Sequence, residues 1–137
     1  MMEEEGESEE QFQKLLANVV VRANRMLEQT GKVLPIGLLL RGNAGIDVFV
    51  ASPEGDWSLA ESLNILQQAL IDNIQEVPTS AGCLAYQDTE FEYLVVFIEN
   101  HQNYNVECKV PLSGLPAPRF DLAAVSIGDG TTFLFGD

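Results

Sequence analysis

The chain of 137 residues, 46% hydrophobic and 20% charged, has the length and composition of one globular domain with a substantial core. Its formal charge of -14 excludes a nucleic-acid footprint: seven Lys and Arg stand singly at Lys14, Arg22, Arg25, Lys32, Arg41, Lys109 and Arg119, with no basic stripe to displace counterions. The same charge disfavours an anionic membrane surface, no stretch reaches the roughly 18 continuous apolar residues of a span, and the acidic start is the reverse of a signal peptide, so a cytoplasmic protein is expected.

Six of the 21 acids fall in the first ten residues, so residues 1–7 read as a disordered acidic arm and 8–137 as a single domain. Ser8-Glu9-Glu10-Gln11 matches a capping box. Phe12, Leu15, Leu16, Val19, Val20, Ala23, Met26 and Leu27 follow at three- and four-residue steps, predicting an amphipathic helix that stops before Gly31. Two apolar runs, at about 33–41 and 46–51, flank Gly42-Asn43-Ala44-Gly45 and read as strands joined by a hairpin loop. A second capping box, Ser58-Leu59-Ala60-Glu61, opens a helix to about Gln75 with Leu59, Leu63, Leu66, Leu70 and Ile74 on one face, and Pro78 prevents its continuation. Three strand-like runs follow at 82–87, 91–99 and 104–112, and the tail around Asp129-Gly130 suggests a last small hairpin or an edge strand. The order is α-β-β-α-β-β-β plus a β-like tail. Hairpin connections favour an α+β two-layer sandwich, an antiparallel meander of about five or six strands with both helices on one face.

Few residues suggest chemistry. His101, the only histidine, lies in Asn100-His101-Gln102-Asn103 between two strands, where a turn tip is expected; Glu99 is a candidate to orient it, but in a five-residue hairpin loop spanning 100–104 Glu99 pairs with about Asn105, and Cys108 falls about 10 Å further along the next strand. One imidazole and two thiols do not make a zinc set, and Cys83 and Cys108 read as buried free thiols. Gly37 to Gly42 has phosphate-loop spacing without the Lys-Ser/Thr that follows in such loops, and Gly128-Asp129-Gly130 lacks a third glycine and a helix to open, so both are turns. No catalytic residue, metal or cofactor is assigned. Glu90, Glu92, Glu99 and Glu107 leave open an alternative, a small hydrolase or small-molecule enzyme using carboxylates near Glu92 and Glu99.

The informative anomaly is the strand "FEYLVVFIE". Leu94, Val96 and Ile98 make one apolar face, matched for helix cover by Ile36, Leu38, Leu40, Ile46, Val48, Val50, Val106, Cys108 and Val110, and Phe91, Tyr93, Val95 and Phe97 make the other. With helices sheltering one face, Leu39, Phe49, Tyr93, Val95 and Phe97 become the candidate interaction surface, to be covered by the tail "FDLAAVSIGDGTTFLFG", by a second copy, or by a different protein or ligand. The expected role is a non-enzymatic module that forms a homodimer or binds a protein partner.

"LPIGLLLRGNAG" and "LAYQDTEFEYLVVFIENHQNYNVECKVPL" resemble a pattern in small bacterial proteins of uncharacterised activity, over about residues 12–112. Here Glu99-Asn100-His101 departs from that pattern's Glu-His-Arg order, and Leu112 follows Pro111 where an aromatic is usual. In size, acidity and element order the chain is also similar to the acidic chaperones of type III secretion, which implies a dimer binding unfolded segments, although those chaperones end in a helix.

Overall fold

The computed structural model describes residues 2–42, 45–51, 58–90, 92–102, 104–114 and 118–135. Helix α1 spans Met2–Thr30, the hairpin β1 Ile36–Arg41 and β2 Ile46–Val50 follows, and α2 spans Leu59–Glu76. Strands β3 Thr79–Gln87, β4 Tyr93–Asn100 and β5 Asn105–Ser113 come next. The short β6 Arg119–Phe120, a 3-10 turn at Leu122–Ala124 and β7 Ser126–Asp129 complete the order. The α+β class, the antiparallel sheet and the order of elements are as expected. No helix among the described residues is long and apolar enough to cross a membrane.

Local chemistry explains most boundaries. Gly31 adopts φ +80° and its N–H donates to the Leu27 carbonyl at 2.9 Å, a left-handed stop that glycine makes without strain. Ser58 caps α2 by accepting the Glu61 N–H at 3.1 Å, and Pro78 follows the helix end at Val77. The Ser8 capping box does not open α1, whose backbone is already helical from Met2, so the expected start of the helix is corrected. Glutamate is a good helix former and its charge is favourable in a first turn, so nothing local halts the helix at Ser8. Asn43 and Ala44, the centre of the expected hairpin loop, lie outside the described residues. The Arg41 N–H donates to the Gly45 carbonyl at 2.8 Å and closes that hairpin around them.

The sheet order is β2-β1-β3-β4-β5-β6, with β7 also pairing β5, so β1 and β3 become neighbours through the α2 crossover. Along β1 the side chains alternate. Ile36, Leu38 and Leu40 join Leu94, Val96, Ile98, Cys108 and Val110 against α1, as expected, and Ala81, Cys83 and Ala85 of β3 complete that face. Leu39 and Leu84 face the other way and pack with Leu66 and Leu70 of α2. The two helices therefore take opposite faces and make three layers, which corrects the two-layer expectation.

Two glycines permit this. A Cβ on Gly37 would lie 2.9 Å from the Leu70 methyls, and one on Gly82 would lie 2.6 Å from Leu134 Cδ1 and 2.9 Å from Leu39 Cδ2. Without side chains at those two positions, the second face is shallow enough for Leu70 and Leu134 to sit directly on the sheet. All six residues of β1 are buried, as a strand sheltered on both faces requires.

Candidate interaction surfaces

The stretch Glu99-Asn100-His101 resolves into three separate tasks. The expected register holds, with Glu99 opposite Asn105 and the loop at its end. Asn100 is buried; its Nδ2 donates to Ser8 Oγ at 2.8 Å and Gln11 Oε1 at 3.4 Å, while its Oδ1 accepts the Gln102 and Tyr104 N–H groups, each at 3.0 Å. One side chain thus shapes the hairpin and ties it to α1, and Ser8 serves that contact instead of a helix cap. His101 is exposed at the turn tip, its Nδ1 3.0 Å from the Ser80 carbonyl oxygen of β3. Glu99 does not orient it.

Glu99 points to the second sheet face and is 0% exposed. Its Oε1 accepts the backbone N–H of Phe133 at 2.7 Å and of Leu134 at 2.8 Å, and its Oε2 accepts that of Phe135 at 3.2 Å. A carboxylate offers about four lone-pair sites, so one side chain serves three consecutive donors. Gln67 of α2 adds a fourth bond, donating to the Phe133 carbonyl at 2.8 Å. The row of residues beneath, Leu39, Gly82, Glu99 and Asn105, crosses β1, β3, β4 and β5 in register, and the segment after β7 lies over this row with Leu134 on Gly82. The tail-over-sheet possibility raised by the sequence is the arrangement found for residues 133–135.

The remaining acids do not converge. Glu92 precedes β4 and Glu99 lies near its other end, seven residues on, which at about 3.4 Å per residue puts them roughly 24 Å apart along the strand. Paired glycosidase carboxyls stand about 5–10 Å apart, so Glu92 and Glu99 are not a catalytic couple of that kind. Glu90 is exposed at the β3–β4 turn, a turn held by Asp88 Oδ1, which accepts the Glu92 N–H at 2.7 Å and the Tyr93 N–H at 3.1 Å. Glu107 stands opposite Phe97 on the second face. Burial, then the charges of Glu107 and Asp88, push the Tyr86 phenol above its ordinary pKa. Among the described residues, no group of three or more His, Cys, Asp and Glu is placed to hold a metal ion.

Both thiols are buried and free. They lie on β3 and β5 with β4 between them, about 10 Å apart in the pairing direction, beyond the roughly 7 Å Cα separation a disulfide spans. Burial pushes Cys83 up from 9.0 to about 12 and Cys108 up from 9.0 to about 11. Neither thiol therefore reacts as a thiolate near neutral pH. A thiol reagent at pH 8 is expected to label the native chain only as fast as it opens, and the urea-unfolded chain at once; rapid stoichiometric labelling of the folded protein would contradict this burial. The raised pKa values favour the protonated folded state. This stability is full below about pH 9 and is lost as pH rises through about 11 to 12, so the urea midpoint should fall in that window.

The expected interaction residues divide among three places. Leu39 is fully buried beneath α2 and Leu134, and Val95 is buried in the sheet, so neither is accessible as the sequence reading requires. The correction follows from α2 and residues 133–135 occupying the second face. Phe97 is half-buried, stacked 6.3 Å from Tyr86 and edge-on 6.0 Å from Phe133, while Tyr93 is half-buried opposite Pro111. Phe49 lies elsewhere, in a groove of about 280 Å³ between β2 and α2 that Val50, Ala51, Ile65, Leu66 and Ala69 also line.

A surface not anticipated from the sequence adjoins that groove. Val48 is 37% exposed and Val50 44% on the α1 side of β2, and Ile65 of α2 is 51% exposed on the other side. Period-two alternation put Val48 and Val50 under a helix with Leu38 and Ile36, but α1 packs against β1, β3, β4 and β6, and of β2 only Ile46 reaches the core beneath it. Among the described residues no strand lies beyond β2, whereas the far edge of β5 carries β6 and β7. β2 has no Lys or Pro and no bulge, the usual devices that block an edge. Its one charge, Asp47, is paired with Arg41 Nε at 2.7 Å. The unusual run of Val and Phe in "IDVFV" is the signal that sequence reading had available. No family model, curated protein or solved structure matches this chain.

Proposed function

We propose that the protein is a non-enzymatic binding module that self-associates by pairing the β2 edges of two copies into one continuous sheet. The observation that supports this reading is the open, apolar β2 edge on an otherwise strongly acidic molecule. An antiparallel pairing about a two-fold axis at Val48 sets Val48 against its own copy and Ile46 against Val50, all on one face. Each match is apolar and β-branched, the kind of cross-strand pair that stabilises sheets. Asp47 comes opposite Phe49, and its charge is already met by Arg41 within its own subunit. The groove beside Phe49 and Ile65 is continuous with the edge and closes as the copies approach.

The chain's charge of -14 opposes association, so salt should strengthen the dimer by screening repulsion, opposite to an interface held by ion pairs. Sedimentation of the wild type should give twice the subunit mass, increasingly so from 50 to 500 mM salt. Val48→Lys, an exposed edge substitution that leaves the core intact, should return the single-subunit mass with unchanged circular dichroism. A wild type that remains a single subunit at all concentrations and salts overturns self-association, and a Val48→Lys dimer removes β2 as its seat.

A further inference from the structure

The way residues 133–135 are held is that of a seated peptide. All four described hydrogen bonds of this segment, three accepted by the Glu99 carboxylate and one donated by the Gln67 amide, engage its main-chain atoms, so they read no side chain. Side-chain selection falls on Leu134, which fills the space over Gly82 beside Leu39, and on Phe133, whose ring meets Phe97 edge-on at 6.0 Å. Main-chain clamps combined with one selective pocket are the usual physics of peptide recognition. The segment contributes no strand to the sheet, and Glu99 is a buried carboxylate with no cation bonded to it among the described residues. Its described partners are instead the three N–H groups that the segment brings.

We infer that the cleft formed by Leu39, Gly82, Glu99, Gln67 and Phe97 is a peptide-binding site, occupied in this structure by the chain's own residues 133–135, and that it takes an extended aromatic-Leu-aromatic segment of a partner protein in their place. The seated segment defines the ligand class: three consecutive free N–H groups for Glu99, a carbonyl for Gln67, and leucine at the centre. An acidic residue at the leucine position is excluded, because it would bring a second carboxylate against the apolar floor of Leu39 and Gly82. This site is on the opposite side of the sheet from Val48 and Val50 and does not depend on whether β2 pairs.

The test uses the full chain and a fluorescent peptide copying residues 131–135. In the wild type the tethered segment competes at high effective concentration, so the peptide should bind weakly. Leu134→Asp empties the cleft without altering its walls. The peptide should bind this variant at least about tenfold more tightly than the wild type, and a peptide with Asp in place of leucine should not bind. No gain for a folded Leu134→Asp chain overturns the proposal. Recruitment of the intact wild-type chain without binding of the free peptide would make the occupant a second copy and overturns it too. Hydrogen exchange of the wild type is an independent check: the Phe133, Leu134 and Phe135 amides should exchange through an opening that leaves β3 and β4 protected. Exchange of these amides only together with β3 and β4 would make the segment an inseparable part of the core, which also overturns the inference.

Discussion

Replacing Glu99 by alanine is expected to release the segment after β7 and to lower the unfolding free energy by about 2–3 kcal/mol. The carboxylate accepts three backbone N–H groups from Phe133, Leu134 and Phe135, of which Leu134 is buried. Leaving a buried donor unsatisfied costs about 1–3 kcal/mol each, so holding all three without an acceptor is worse than letting the segment go to water. The loss is therefore capped by the free energy of docking, which includes the burial of Leu134 over Gly82 and Leu39. Glu99→Gln is expected to recover little of it. One oxygen remains, but the amide group turns two donors towards backbone donors. Urea unfolding measures the loss, and hydrogen exchange at residues 133–135 locates it. A Glu99→Ala chain with wild-type stability and protected amides there would show that the carboxylate is not what holds the segment.

Arg41→Met is expected to cost about 2–4 kcal/mol, through a different kind of connection. Arg41 is 6% exposed at the end of β1, and its Nη1 donates to Thr79 Oγ1 at 2.7 Å and to the carbonyls of Asn73 and Val77 at 3.3 and 3.5 Å. Those carbonyls close α2, which has no basic residue in its own last turn. The guanidinium supplies from β1 the donors and positive charge that a helix end favours. Its Nε also reaches Asp47 of β2 at 2.7 Å, so one side chain joins β1, β2, β3 and α2. Arg41→Lys should restore only part of the stability, since an ammonium cannot span partners arranged around a planar fork. Asp47→Asn should cost less than about 1 kcal/mol, because that carboxylate is half exposed. Thermal or urea unfolding of the three variants gives the ranking, and an Asp47→Asn loss equal to that of Arg41→Met would assign the stability to the ion pair instead.

What sequence reading recovered, and what it missed, separate by the distance over which each signal acts. The helix stop at Gly31, the cap at Ser58 and the pairing of Glu99 with Asn105 across a five-residue loop depend on neighbours close in the chain. The role of Glu99 depends on residues 34 to 36 positions away, and no local pattern marks a glutamate at the end of an apolar strand as an acceptor for distant backbone. Likewise "IDVFV" reads as a covered strand until the axis of α1 is known. The candidate surface named from the sequence kept Phe49, Tyr93 and Phe97 at least partly exposed, and lost Leu39 and Val95 to the interior.

The sequence by itself determined the α+β class, the order of elements, the antiparallel pairing and which side chains share a sheet face. Each of these follows from period, turn chemistry and short loops, whose energies are decided within a few residues. Only the tertiary structure decided which helix covers which face, that a buried carboxylate draws residues 133–135 across the sheet, and that among the described residues β2 keeps an open edge. Those outcomes follow from competition among distant apolar surfaces for the same shelter, and from two missing side chains, at Gly37 and Gly82, that make the second face accessible to Leu70 and Leu134.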